Sequence, residues 1–152
     1  MHTKQIFILL FLKTAMARTD NLRKQHDQLI ALTQEISRNL TLSEVSTKTI
    51  NITMLLSKLT GLLQVHASSE DKFLYPGLLK ATDTKVKTIT KRFLDEMGGI
   101  DKAVSEHNTK WTIQIIKEKP NEFIKETKQL LATLGVRINK ENAELYPLAD
   151  TL

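Results

Sequence analysis

Four stretches of this chain carry apolar residues at alternating spacings of three and four, the period of a helix that buries one face against its neighbours. The first holds Leu22, His26, Leu29, Thr33, Ile36 and Leu40. The second holds Ile52, Leu55, Leu59, Leu62, His66 and Phe73; the third holds Ile100, Val104, His107, Trp111 and Ile115. The fourth holds Thr127, Leu130, Leu134, Arg137, Glu141 and Leu145. No stretch shows the strict alternation of a strand, so the expected fold is all-α. Short connections favour an up-down-up-down four-helix bundle over residues 19–152. Its helices are expected at about Thr19 to Arg38, Glu44 to Leu74, Asp83 to Lys117 and Pro120 to Pro147. Gly98-Gly99 should bend or divide the third, because adjacent glycines weaken a helix interior. Pro76-Gly77 and Pro147 should close the second and fourth.

The stripes are not purely apolar. His26, His66, His107 and Arg137 each occupy a core position, one on each helix. The stretch HASSEDKFLYPGL, residues 66–78, also has a near copy in RINKENAELYPLA, residues 137–149, at a constant offset of 71. In both, a glutamate follows the first residue by four and a Tyr-Pro pair begins five residues later. Glu70 and Glu141 therefore lie one turn from His66 and Arg137 on inward faces.

A glutamate in a core is costly unless it is paired or bound to a cation. Imidazole nitrogens and carboxylates on facing helices suit a metal centre, and with no cysteine the donors can only be N and O. Iron or manganese fits such donors, and three histidines with a carboxylate could also hold zinc. The candidate ligands are His26, His66, Glu70, His107 and Glu141. A metal-free network, with Glu70 and Glu141 paired to Arg137 and the histidines, is the other state open to such a seam. Asp27 and Asp71 fall off the seams and read as surface groups. Trp111 reads as core, and His2 receives no role. Tyr75 and Tyr146 read as structural, packing over the bundle end with their hydroxyls directed outward.

Several function classes find no support. The formal charge of +5 comes from dispersed lysines and arginines. The densest basic stretch, KVKTITKR, lacks the interleaved aromatics of a nucleic-acid platform, so no nucleic-acid partner is expected. HExxH is absent, which removes the zincin peptidases. No apolar run reaches the length of a membrane span. The segment IFILLFL is interrupted at Lys13 and is too short for one. Residues 1–18 read as an apolar N-terminal helical extension, with Ile6, Phe7, Leu10 and Phe11 forming a homodimer contact. A cytoplasmic location is expected.

The chain resembles the hemerythrin-like, or HHE cation-binding, family. The resemblance rests on RKQHDQL around His26, HASSEDKFLYP around His66 and Glu70, SEHNTKW around His107 and RINKENAELYP around Glu141. It implies a bundle around a bridged pair of irons. His26 and His66 would serve one iron and His107 the other, with Glu70 and Glu141 as bridges. Arg137 stands where the resemblance expects a further histidine. A guanidinium has no lone pair for a metal, so the implied iron content is one or two ions: one ion or none is favoured, and a pair requires Arg137 to swing aside while water or a neighbouring carboxylate completes the second site. Arg137 could occupy the second cation's place in a bidentate pair with Glu70 or Glu141. The implied function is binding of iron, with sensing or binding of dioxygen or nitric oxide. The alternative is a metal-free bundle acting as an interaction or regulatory protein.

Overall fold

A computed structural model describes the backbone of residues 2–152 and the side chains from Thr19 onward. Its first helix, α1 (His2–Arg38), runs without interruption into the segment expected to be a separate extension. The side chains proposed for a dimer contact lie outside the described residues. A short α2 (Leu42–Thr47) is capped by the Thr41 side chain, which accepts from the Glu44 amide. It leads into α3 (Thr49–Ser69).

A single π-helical turn, Glu70–Leu74, follows α3, and α4 (Tyr75–Leu79) continues beyond it. Thus Pro76 does not end the helix. It sits in the first turn of α4, where the fixed φ of proline suits the helix. The π turn inserts one residue into the helical register and rotates the following face. For that reason Phe73, expected in the core, is exposed, and Leu74 is buried in its place. The repeat behaves alike: α8 (Pro120–Lys140) passes through a π turn, Glu141–Leu145, into α9 (Tyr146–Asp150), so the chain is helical past Pro147 as well.

Between them, α5 (Thr84–Met97) ends at Gly98 and α6 (Ile100–Lys110) begins after Gly99, whose φ of 87° lies in the left-handed region. A second break at Trp111-Thr112 separates off α7 (Ile113–Glu118). In the bundle α1 packs on α3 and α8, α3 packs on α6, and α6 closes the ring against α8. Gly98 has a specific steric reason to be glycine, since a Cβ there would stand 2.7 Å from the Leu94 carbonyl oxygen. Gly98→Ala is expected to lower stability by about 1–3 kcal/mol. Chemical denaturation measures this, and an unchanged midpoint would show that the break relaxes freely.

The apolar interior is in two parts. The larger is built on Leu29, Ile36, Ile52, Leu59, Leu63, Val104, Trp111, Phe123, Leu134 and Ile138. The smaller, at the other end, gathers Leu22, Leu74, Leu78, Phe93, Leu145 and Tyr146. Along α1 the order is Leu22, His26, Leu29. Along the second helix it is Leu63, His66, Glu70, Leu74, and along the last it is Ile138, Glu141, Leu145. Histidines and glutamates thus form one buried polar layer between two apolar ones.

Candidate metal centre

Four of the five expected ligands meet in that layer. One donor atom from each of His26, His66, Glu70 and Glu141 lies within 4.8 Å of all the others, and all four residues are buried. His66 Nε2 is 2.6 Å from Glu70 Oε1, and His26 Nε2 is 3.8 Å from Glu141 Oε1. The π turns place these carboxyls. Each is the first residue of its turn, with its carbonyl bonded to the amide of the tyrosine five residues on. In an α-helix that tyrosine would point well away from the glutamate, whereas the wider turn brings both to one face.

Two amide side chains set the state of the histidines. His26 Nδ1 is 2.8 Å from Asn142 Oδ1, and His66 Nδ1 is 2.7 Å from Gln25 Oε1. An amide oxygen only accepts, so each Nδ1 carries the hydrogen and each Nε2 turns its lone pair into the layer. Those two Nε2 atoms face one another at 3.1 Å. Burial lowers the pKa of both rings, so neither is readily protonated to relieve the contact. Two neutral acceptors this close repel, and without metal the contact is eased only by donors beside them, the Tyr146 hydroxyl 3.1 Å from His26 Nε2 and a protonated Glu70 carboxyl 2.6 Å from His66 Nε2; a cation between the rings would engage both lone pairs at once. Gln25 and Asn142 escaped the sequence reading, whose only signal was an amide next to His26 and another next to Glu141.

The carboxyls point the same way. Burial is the main cause that raises the Glu70 pKa to about 7. Glu141 is raised to about 9, by burial first and then by its contact with Glu70. Glu70 Oε2 is buried with no hydrogen-bond partner. Such an orphaned oxygen is costly in a core, and a bound cation would satisfy it. The donor set therefore fits a metal ion.

His107 is elsewhere. Its neighbour Asn108 donates to the Leu56 carbonyl and to Thr60 Oγ1, which sets this part of α6 about two turns below His66. The His107 Nε2–H donates to Thr127 Oγ1 at 3.0 Å, and that hydroxyl donates onward to the Phe123 carbonyl. The ring stacks on Phe123 at 6.0 Å between centroids, with Trp111 beside it. This is a satisfied core histidine. The helical period gave it the right face, while the break at Gly98-Gly99 decides its height.

Arg137 also departs from expectation. Its guanidinium donates to the Met97 carbonyl, one of the oxygens left open where α5 ends, and pairs with no carboxylate among the described residues. It lines a cavity of about 140 Å³ that adjoins three of the four ligands, His66, Glu70 and Glu141, together with Tyr75, Leu134 and Asp101. Tyr146, expected to point outward, turns inward: its hydroxyl is 3.1 Å from His26 Nε2.

The family model for the hemerythrin HHE cation binding domain matches residues 17–149. The chain belongs to the hemerythrin HHE cation-binding family. Comparison with curated proteins and with solved structures found no similar chain. The match begins two residues before the described side chains and covers every member of the polar layer. Among the described residues, no helix of this HHE domain is long and apolar enough to cross a membrane.

Proposed function

We propose that this HHE domain is a small cytoplasmic protein holding a single iron ion between His26, His66, Glu70 and Glu141. The observation that carries the reading is the convergence of two Nε2 lone pairs, fixed toward each other by Asn142 and Gln25, with two buried carboxyls within 4.8 Å. Neutral imidazole with carboxylate is a donor set that iron accepts readily. Iron so held would supply a redox-active centre able to take a small diatomic molecule, dioxygen or nitric oxide. The chain's own contribution is orientation of the imidazoles, charge neutralisation by the two glutamates and exclusion of bulk water. The adjoining cavity is large enough for a diatomic molecule, since a liquid water occupies about 30 Å³.

One ion is favoured over two. On the far side of the carboxyls the lining side chains include Leu94, Met97 and Ile100, and Arg137 brings a permanent positive charge. The metal-free alternative required Arg137 to neutralise the glutamates. Its guanidinium is engaged at Met97 instead, which weighs against that reading.

The test is metal content by mass spectrometry after anaerobic ferrous loading, on wild type and two variants. Wild type is expected to retain one iron per chain. His66→Ala should retain almost none. His107→Ala should keep its iron while losing about 2–4 kcal/mol of stability, from the cavity and the unpaired Thr127 hydroxyl. A His107 variant that loses iron while remaining folded would put the centre in the wrong place.

A further inference from the structure

The Tyr146 side chain is fully buried, and its oxygen lies among the candidate ligands rather than at the bundle surface. It is 3.1 Å from His26 Nε2, 3.4 Å from His66 Nε2 and 3.5 Å from Glu141 Oε2. Donors bound to one ion at about 2.1 Å stand roughly 3.0 to 3.4 Å apart; the hydroxyl meets that spacing to both Nε2 atoms and lies just beyond it from Glu141 Oε2, so it stands where a further donor of the same ion would stand. The ring is fixed there. It stacks on His26 with centroids 5.0 Å apart and planes inclined by 13°, and the Arg23 guanidinium covers it at 5.4 Å. The backbone adds a constraint, since the Tyr146 amide closes the π turn on the Glu141 carbonyl. Tyr75, the matching residue of the first motif copy, lines the cavity beside Arg137 instead.

We propose that Tyr146 is a fifth donor, giving ferric iron a phenolate oxygen in the site of His26, His66, Glu70 and Glu141; this rests on the cation-site reading above. Charge supports the assignment. Two neutral imidazoles, two carboxylates and one phenolate sum to minus three, so a ferric ion makes the buried layer neutral. Hard, highly charged iron also favours an anionic oxygen donor. On binding, the bond between oxygen and iron replaces the O–H bond, and the phenolic proton leaves to solvent with no change of oxidation state.

Ferric nitrilotriacetate supplied to the full chain, followed by removal of excess, gives the test. Bound iron, visible absorption and resonance Raman are read on wild type, Tyr146→Phe and Tyr75→Phe. The chain has only two tyrosines, so the assignment is closed. Wild type and Tyr75→Phe should show a phenolate-to-iron charge-transfer band whose excitation enhances tyrosine ring modes. Tyr146→Phe should lose the band and bind ferric iron at least about tenfold more weakly. If Tyr146→Phe does not fold, the wild-type Raman spectrum and Tyr75→Phe still decide between phenolate and none, and between the two tyrosines. Iron bound without the band overturns the proposal and leaves the four-ligand site standing. A band that survives in Tyr146→Phe overturns it as well, and absence of bound iron overturns both.

Discussion

Replacing Glu141 with glutamine is expected to remove nearly all stabilisation by iron and, at the same time, to make the metal-free protein more stable. A ligand present at about 100 times its dissociation constant stabilises the native state by about 2.7 kcal/mol. Loss of supporting partners alone weakens metal sites about 10–100-fold, and loss of a direct carboxylate should do no less. At the same iron concentration a 100-fold weaker site leaves only about 0.4 kcal/mol. For a chain of this length each kcal/mol moves the melting temperature by about 2–4 °C. The iron-induced shift should therefore fall from roughly 5–10 °C to about 2 °C or less.

The rise in metal-free stability follows from the sign of the carboxyl shifts. Burial raises Glu70 and Glu141 above the ordinary carboxyl value of 4.5, to about 7 and about 9. A group raised on folding favours the folded state fully below its unfolded pKa, and that contribution is lost as pH rises through the folded value. Around neutral pH the metal-free layer is already losing this contribution, and the loss grows toward alkaline pH. Glutamine cannot ionise, so Glu141→Gln should gain on the order of 1–3 kcal/mol near pH 8 and less near pH 5. Thermal melts of both proteins with and without anaerobic ferrous iron separate the two effects. A variant that keeps the full iron-induced shift would show that Glu141 is no ligand, whatever its burial.

This trade-off bears on what could be read from the chain itself. A helical period of three and four reports which face a residue occupies, and it placed His26, His66, Glu70 and Glu141 on inward faces from sequence alone. It does not report height along the bundle. His107 satisfies the same period and still lies in the apolar half, because the Gly98-Gly99 break resets the path of the third helix. Nor does a fixed period anticipate a π turn, so Phe73 and Leu74 exchanged places and Tyr146 turned inward rather than outward. The doubled motif contained the relevant regularity in its five-residue step from glutamate to tyrosine. That step is the hydrogen-bond span of a π turn. Arg137 illustrates a different limit. Its chemistry excluded it as a ligand, while its actual partner was a helix-terminal carbonyl that only the tertiary structure supplies.

The same carboxyl shifts predict an unusually steep dependence of iron binding on pH. A cation must displace any proton held by its ligands, and each proton displaced changes apparent affinity about tenfold per pH unit. In the metal-free fold Glu141 keeps its proton up to about pH 9, and Glu70 keeps its own up to about pH 7. The two act as one coupled pair, so the steps belong to the pair as a whole. One proton should be displaced per iron in the upper window and two below it. Ferrous affinity should thus fall about tenfold per unit between pH 9 and 7, and approach about a hundredfold per unit below 7. The imidazoles add little to this slope, since burial lowers their pKa values and favours the neutral rings. An exposed carboxylate site, with pKa values near 4.5, would be flat over the same range. Competition titration against a chelator at several pH values, corrected for the chelator's own protonation, measures the slope. Proton release in weakly buffered solution measures the same count independently. A flat response in both would mean that the carboxylates are already ionised without metal, and that something other than a bound cation stabilises their charge in the polar layer.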